Sequence, residues 1–188
     1  MSELIDTLLT DARERMAKTV ESTTNELGSV RTGRATTSLL DRVVVDYYGA
    51  PTPLKQLATL GTPEARLLTV QPFDAGSLKL IEKAIVDSGL GLTPNNDGKI
   101  IRINIPELNE ERRKDMVKVA KKIGEEGKIA MRNVRRDVLH DLKKLKDDGD
   151  VGADDEHRAE GELQKITDAA IADLDGRLKA KEEEILEV

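Results

Sequence analysis

The stretch "EERRKDMVKVAKKIGEEGKIAMRNVRRDVLHDLKKLK", residues 110–146, carries two superimposed patterns. Small and apolar residues recur at Met116, Ala120, Ile123, Gly127, Ala130, Val134, Val138, Leu142 and Leu145. Steps of three and four place them on one helix face, and no proline interrupts the run. A periodic stretch longer than ~25 residues means a coiled coil, a membrane span or a bundle of long helices. Asn109 is an N-cap residue type, and Glu110 and Glu111 put negative charge on the first turn, where the helix dipole favours it.

The second pattern is charge. Lys121, Lys128, Arg132 and Arg135 share another face, flanked by Lys118 and Arg136. Residues 112–146 carry 13 basic and 5 acidic side chains, within a chain of net charge −6. Residues 147–188 reverse the balance, with 5 basic and 15 acidic. A partner within a Debye length of ~8–10 Å feels the local field, not the average. Glu125, Glu126, Asp137 and Asp141 are too few to neutralise the basic residues around them. Arginine at 132, 135 and 136 also suits bidentate phosphate recognition. Two readings stay open on the residues alone: a face that contacts RNA, and one neutralised by the acidic C-terminal helix within a protein-recruiting adaptor.

Outward from this helix, the chain changes texture twice. Ile5, Leu9, Ala12, Met16, Val20, Thr23, Leu27 and Val30 predict a long helix fading at Arg31-Thr32-Gly33-Arg34. All six prolines fall between 51 and 106, which forbids a long helix there. Instead "RVVVDYYG" at 42–49, "RLLTVQPF" at 66–73 and "KIIRINIP" at 99–106 predict strands. "SLKLIEKAIVDSGLG" predicts one amphipathic helix through Leu78, Ile81, Ala84 and Ile85, and "TPNNDGK" at 93–99 a turn. After the polar "KDDGDVGADDE", Leu163, Ile166, Ala170, Leu174, Leu178 and Ile185 mark a third long helix. Three long helices with one stripe each close best on one another. The expected fold class is therefore α+β: an antiparallel three-helix bundle interrupted by a small β/α/β domain.

The exclusions narrow the function. There are no cysteines, no transmembrane-length apolar run and no signal-peptide pattern at the start, so a cytoplasmic protein away from membranes is expected. His140 and His157 lack a second ligand at metal spacing, and the acidic 147–156 run lacks the spacing of a calcium loop. No phosphate loop, nucleophile elbow or nucleophile–base set is present, so no enzyme, metal or cofactor is predicted.

Five strings carry a resemblance: "RTGRA" at 31–35, "VDYYGAPTPLKQLA" at 45–58, "EKAIVDSGLGLTPNNDG" at 82–98, "IRINIPELNEERRKD" at 101–115 and "RNVRRD" at 132–137. Together they resemble the bacterial ribosome recycling factor family over nearly the whole chain. The resemblance implies an L-shaped, tRNA-like monomer, with bundle domain 1–31 and 108–188, inserted domain 35–104, and hinge strands 32–34 and 105–107. It implies binding across the A and P sites of the large subunit, against 23S ribosomal RNA of the 50S particle within the 70S ribosome. It implies splitting of the post-termination ribosome with elongation factor G, which uses the GTP, and a functional link to initiation factor three. Arg132, Arg135 and Arg136 match the family's ribosome-binding arginines, and Arg31 matches an RNA contact. Lys121 and Lys128 are added from the shared helix face. Thr32, Gly33, Arg34, Ile105, Pro106 and Glu107 fall in the hinge strands. Gly127 and Met131 depart from the Ala and Val that the family pattern leads one to expect, and Gly124 also stands mid-helix.

Overall fold

A computed structural model describes residues 2–187. It divides into two compact units, one formed by the residues up to Val30 together with those from Asp115 onward, the other by Arg31–Lys114. The expected domain limits at 1 and 188 fall outside the described residues.

The first unit holds α1 (Glu3–Gly28), most of α3 (Glu110–Asp147) and α4 (Ala153–Leu186). Ser2 Oγ accepts the Ile5 amide at 3.4 Å to start α1, and Asn109 Oδ1 accepts the Arg112 amide at 2.8 Å to start α3. Ile5 and Leu9 share a cluster with Val138 and Leu142 of α3 and with Ala159 and Leu163 of α4. Leu27 and Val30 instead meet Ala120, Ile123 and Ile185. The three helices therefore pack with α3 antiparallel to both neighbours.

The buried stripe of α3 differs from the sequence reading at its ends, where Met116 and Leu145 are only half-buried, and in its middle, where Gly124 and Met131 are buried. Met131 is fully buried and Ala130 only half-buried. At about 100° per residue, Met131 lies ~20° from the Ala120 direction and Ala130 ~80° away. Counting by threes and fours cannot separate the two; the larger side chain wins the inner position. In α4 the Thr167 hydroxyl is buried, and it donates to the Leu163 carbonyl at 2.8 Å.

Gly127 explains its own departure from the family pattern. A methyl group there would stand 2.6 Å from Thr23 Oγ1 and 2.9 Å from Leu174 Cδ2, so all three helices approach one another through this glycine. At Gly124 the nearest atom is the flexible end of Leu178, at 2.7 Å.

The second unit contains β1 (Val44–Tyr47), β2 (Ala50–Pro53), β3 (Ala58–Glu64), β4 (Leu67–Pro72), α2 (Leu78–Asp87), β5 (Pro94–Asn96) and β6 (Ile101–Asn104). β1 and β2 form a hairpin, and a separate antiparallel sheet runs β3-β4-β6-β5. Three strands match the sequence reading; β2, β3 and β5 were hidden by proline. Pro51 and Pro53 lie in the two-stranded hairpin, Pro63 at the β3 bulge and Pro94 at the start of an edge strand. These are the places where a missing amide hydrogen costs a sheet least. The "TPNNDGK" segment is accordingly a short strand followed by a tight turn.

Leu68, Val70, Ile101 and Ile103 of the sheet are completely buried with Ile81 and Ile85 of α2. The two segments that lead into and out of this unit run side by side. Ala35 and Ile105 donate to the adjacent carbonyls of Ala65 and Arg66, at 2.7 and 2.8 Å. Gly33, at φ +77°, lies against Leu108, and Arg66 pairs with Glu107 at 2.7 Å. Thr32 is buried, and its Oγ1 accepts the Arg34 amide at 3.3 Å.

Candidate nucleic-acid interface

The candidate interface is the solvent side of α3. Its apolar stripe fixes the roll of the helix about its axis, so the direction of each basic side chain follows from helix geometry. Taking Lys121 as zero, Lys128 and Arg135 lie ~20° and ~40° to one side, while Arg132 and Arg136 lie ~20° and ~60° to the other. Gly124 and Leu142, both buried, stand at about −60° on the same scale. Lys128 and Arg135 thus border the core, and Lys121, Arg132 and Arg136 face water.

Exposure follows that order. Lys121, Arg132 and Arg136 are exposed; Lys128 and Arg135 are half-buried. Gly124 packs on Leu178 of α4, so the sheltered border is the α3–α4 seam.

The degree of internal neutralisation differs from residue to residue. Lys128 is claimed from within the bundle: its Nζ meets Asp175 Oδ1 of α4 at 2.5 Å, and the Lys128 side chain keeps only 20% exposure. Arg132 pairs with Glu125 on its own helix at 3.2 Å, with both side chains more than half exposed. Such an open pair is worth little and yields easily to a stronger anion. Among the described residues, Lys121, Arg135 and Arg136 have no ion pair. The Arg135 Nε is nevertheless sealed from solvent without a hydrogen-bond acceptor. Its stem is held in the seam, which limits where the guanidinium can point.

Asp137, one of the acids counted against the basic residues, turns away and takes Arg15 of α1 at 3.0 Å. Lys118 and Lys122 have only long contacts, 3.8 Å to Asp115 and 4.0 Å to Glu126. Arg31 belongs to the other unit, where its Nη2 lies over Gly91. The structure thus brings five of the six expected contact residues onto one face of α3; the sixth, Arg31, belongs to the other unit. Sequence reasoning missed Asp175, because the seam that brings it to Lys128 depends on the relative roll of two helices 47 positions apart in the chain.

Among the described residues no group of three potential metal ligands converges. Nor, among the described residues, is any helix long and apolar enough to cross a membrane. A groove of about 440 Å³ between α1 and α4 is floored by Met16, Val20 and Ile166. Its polar lining includes Lys165, which donates to Glu162 at 2.7 Å within the same helix.

Comparison with known proteins places the chain in a family. The family model for ribosome recycling factor matches residues 23–186. The ribosome-recycling factor of Oleidesulfovibrio alaskensis is 53% identical over 184 residues, covering 98% of this chain and 100% of that protein. That of Halalkalibacterium halodurans is 54% identical over 181 residues, covering 96% and 98% respectively. A solution structure of the ribosome recycling factor superposes with TM-score 0.82 at 37% identity, covering all of both chains. A second similar chain comes from the T. thermophilus ribosome recycling factor with E. coli elongation factor G, bound to the E. coli post-termination complex. It gives TM-score 0.70 at 47% identity, over 99% of this chain and 100% of that one.

Proposed function

Because this chain belongs to the ribosome recycling factor family, we propose that it binds the post-termination ribosome across the A and P sites of the large subunit. With elongation factor G and GTP it then promotes separation of the subunits, which initiation factor three keeps apart. The GTP is bound and hydrolysed by the elongation factor, and this chain supplies no cofactor of its own. The observation that carries the reading is the row Lys121, Arg132 and Arg136, facing solvent along a helix whose other side is locked into a three-helix core.

The mechanism is mechanical. Arginine contacts to ribosomal RNA phosphates fix the bundle in position without needing a base code. Arg135 joins them from the seam, its guanidinium limited in direction by its sheltered stem. Lys128 joins only by exchanging Asp175 for a phosphate. Thr32, Gly33, Arg34, Ile105, Pro106 and Glu107 act as the hinge, and Arg31 as a further RNA contact. The elongation factor's GTP-driven change pushes on the inserted unit, and the bundle passes that force to the bridges between subunits.

The test is equilibrium binding to purified 50S subunits. Arg132→Glu with Arg136→Glu is expected to keep the wild-type thermal melt and to weaken binding by about a hundredfold or more, since each charged contact is worth ~1.5–3 kcal/mol. Wild-type affinity should fall with salt at a log–log slope of ~0.7–0.9 per phosphate neutralised. Unchanged affinity in the double variant, or a flat salt titration, removes the basic face from the mechanism.

A further inference from the structure

The turn after α2 reads "GLGL" at 89–92, alternating bare and apolar positions. Leu92 belongs to the buried core of the inserted unit, and the half-buried Leu90 packs against that core. These two leucines pin the turn from within. Gly89 and Gly91 are exposed, at φ +73° and +65°, in the left-handed region that side chains disfavour.

Conformation alone accounts for Gly89, since a methyl group there would meet nothing within 4 Å. At Gly91 the missing side chain has a second effect. A methyl there would stand 3.2 Å from Arg31 Nη2 and 4.0 Å from Arg31 Nη1. The guanidinium of Arg31 thus lies over the bare α-carbon, on a turn that the two leucines hold in place. A methyl would shift it slightly, and a longer side chain would take its place.

Arg31 is exposed, and among the described residues it has no ion pair and no hydrogen bond. The contact with Gly91 is therefore packing without neutralisation. Lys128 shows the contrast: a carboxylate holds it and offsets its charge. Arg31 is held on one side and keeps its charge and its donors for a partner. A long side chain gives up rotamer freedom when it binds, and one already seated gives up less.

We propose that Gly91 is a positioning residue for Arg31: its bare α-carbon seats the guanidinium and so orders, before binding, a charge that meets RNA phosphate. The proposal rests on the reading of Arg31 as an RNA contact and adds what holds that contact ready. Both residues belong to the inserted unit, so the seat forms without the bundle.

The test is equilibrium binding of the full chain to purified 50S subunits, with asparagine in place of each glycine in turn. Asparagine tolerates positive φ, so backbone strain is matched at the two positions and both variants should melt close to wild type. Gly91→Asn fills the seat, whereas Gly89→Asn projects into open space. Arg31→Ala is expected to weaken binding about tenfold, the loss of one charged contact. Gly91→Asn should weaken it about threefold, the cost of ordering one side chain at binding, and Gly89→Asn should bind as wild type. Added to Arg31→Ala, Gly91→Asn should cost nothing more, a coupling that a purely structural glycine would not show. Wild-type binding by Gly91→Asn, equal losses at the two glycines, or losses that add in the double variant would overturn the seat and leave Arg31 as an RNA contact. Wild-type binding by Arg31→Ala would overturn the seat together with the role of Arg31, and leave the α3 face to its own test.

Discussion

At the scale of single residues, the basic face is a graded set of cations. Arg136 is exposed and unpaired, Arg132 is loosely paired, Arg135 is half sheltered, and Lys128 is held by Asp175. Removing the counter-ion should therefore act opposite to removing a cation. Asp175→Asn is expected to tighten 50S binding about three- to tenfold at low salt, with the gain fading as salt screens the freed charge. Titration at two ionic strengths checks both parts. Asp97 is a different kind of residue-scale device. It accepts amides from Ile100 at 2.9 Å and Lys99 at 3.0 Å, and the Arg102 guanidinium at 2.6 Å. The Ile100 bond, then Arg102 and Lys99, hold its carboxyl well below the usual range. Because the folded pKa is depressed, this contribution to stability is fully present above the unfolded value of about 3.9 and is lost as pH falls through the folded value. Asp97→Asn should flatten that acid limb of the stability curve, which denaturant melts between pH 7 and pH 2 would show.

At the scale of elements, the helices distinguish glycines that are packed from glycines that are merely present. Gly127 is enclosed by Thr23 and Leu174, whereas Gly161 and Gly176 of α4 have open space where a methyl would sit. Gly127→Ala should lose about 1–2 kcal/mol, because overpacking against a β-branched neighbour outweighs the helix-propensity gain of ~1 kcal/mol. Gly176→Ala should gain up to that ~1 kcal/mol. Paired thermal melts decide both signs. The same elements show how far the sequence could be read. The stripe Ile5 to Leu27 and the stretch 110–146 repeat with helical period over many turns, so both helices were legible, as was the family likeness now matched over residues 23–186. β2 and β5 were not, because three or four residues around a proline hold no period to count, and β3, though seven residues long, shows no alternation in its burial. The basic face could be placed on one side of its helix. Its partial neutralisation by Asp175 could not, since that depends on how two helices are rolled against each other.

At the scale of the whole molecule, the two units have separate cores. Every buried member of the inserted unit's cluster lies between Ala35 and Ile105, and the remaining clusters draw only on the bundle. Cavity-forming changes should therefore report unit by unit. Ile81→Ala is expected to cost about 2–5 kcal/mol in the inserted unit and to leave amide-exchange protection of α1 and α4 close to wild type. Leu163→Ala should do the reverse, and hydrogen exchange on the intact chain measures both. The absence of Tyr, Trp and Phe from the bundle has an optical consequence. With no indole anywhere and both phenols at one hairpin, ultraviolet emission is blind to melting of the long helices. It reports the surroundings of that single turn instead, where Tyr47 and Tyr48 stand between β1 and β2, with no label attached.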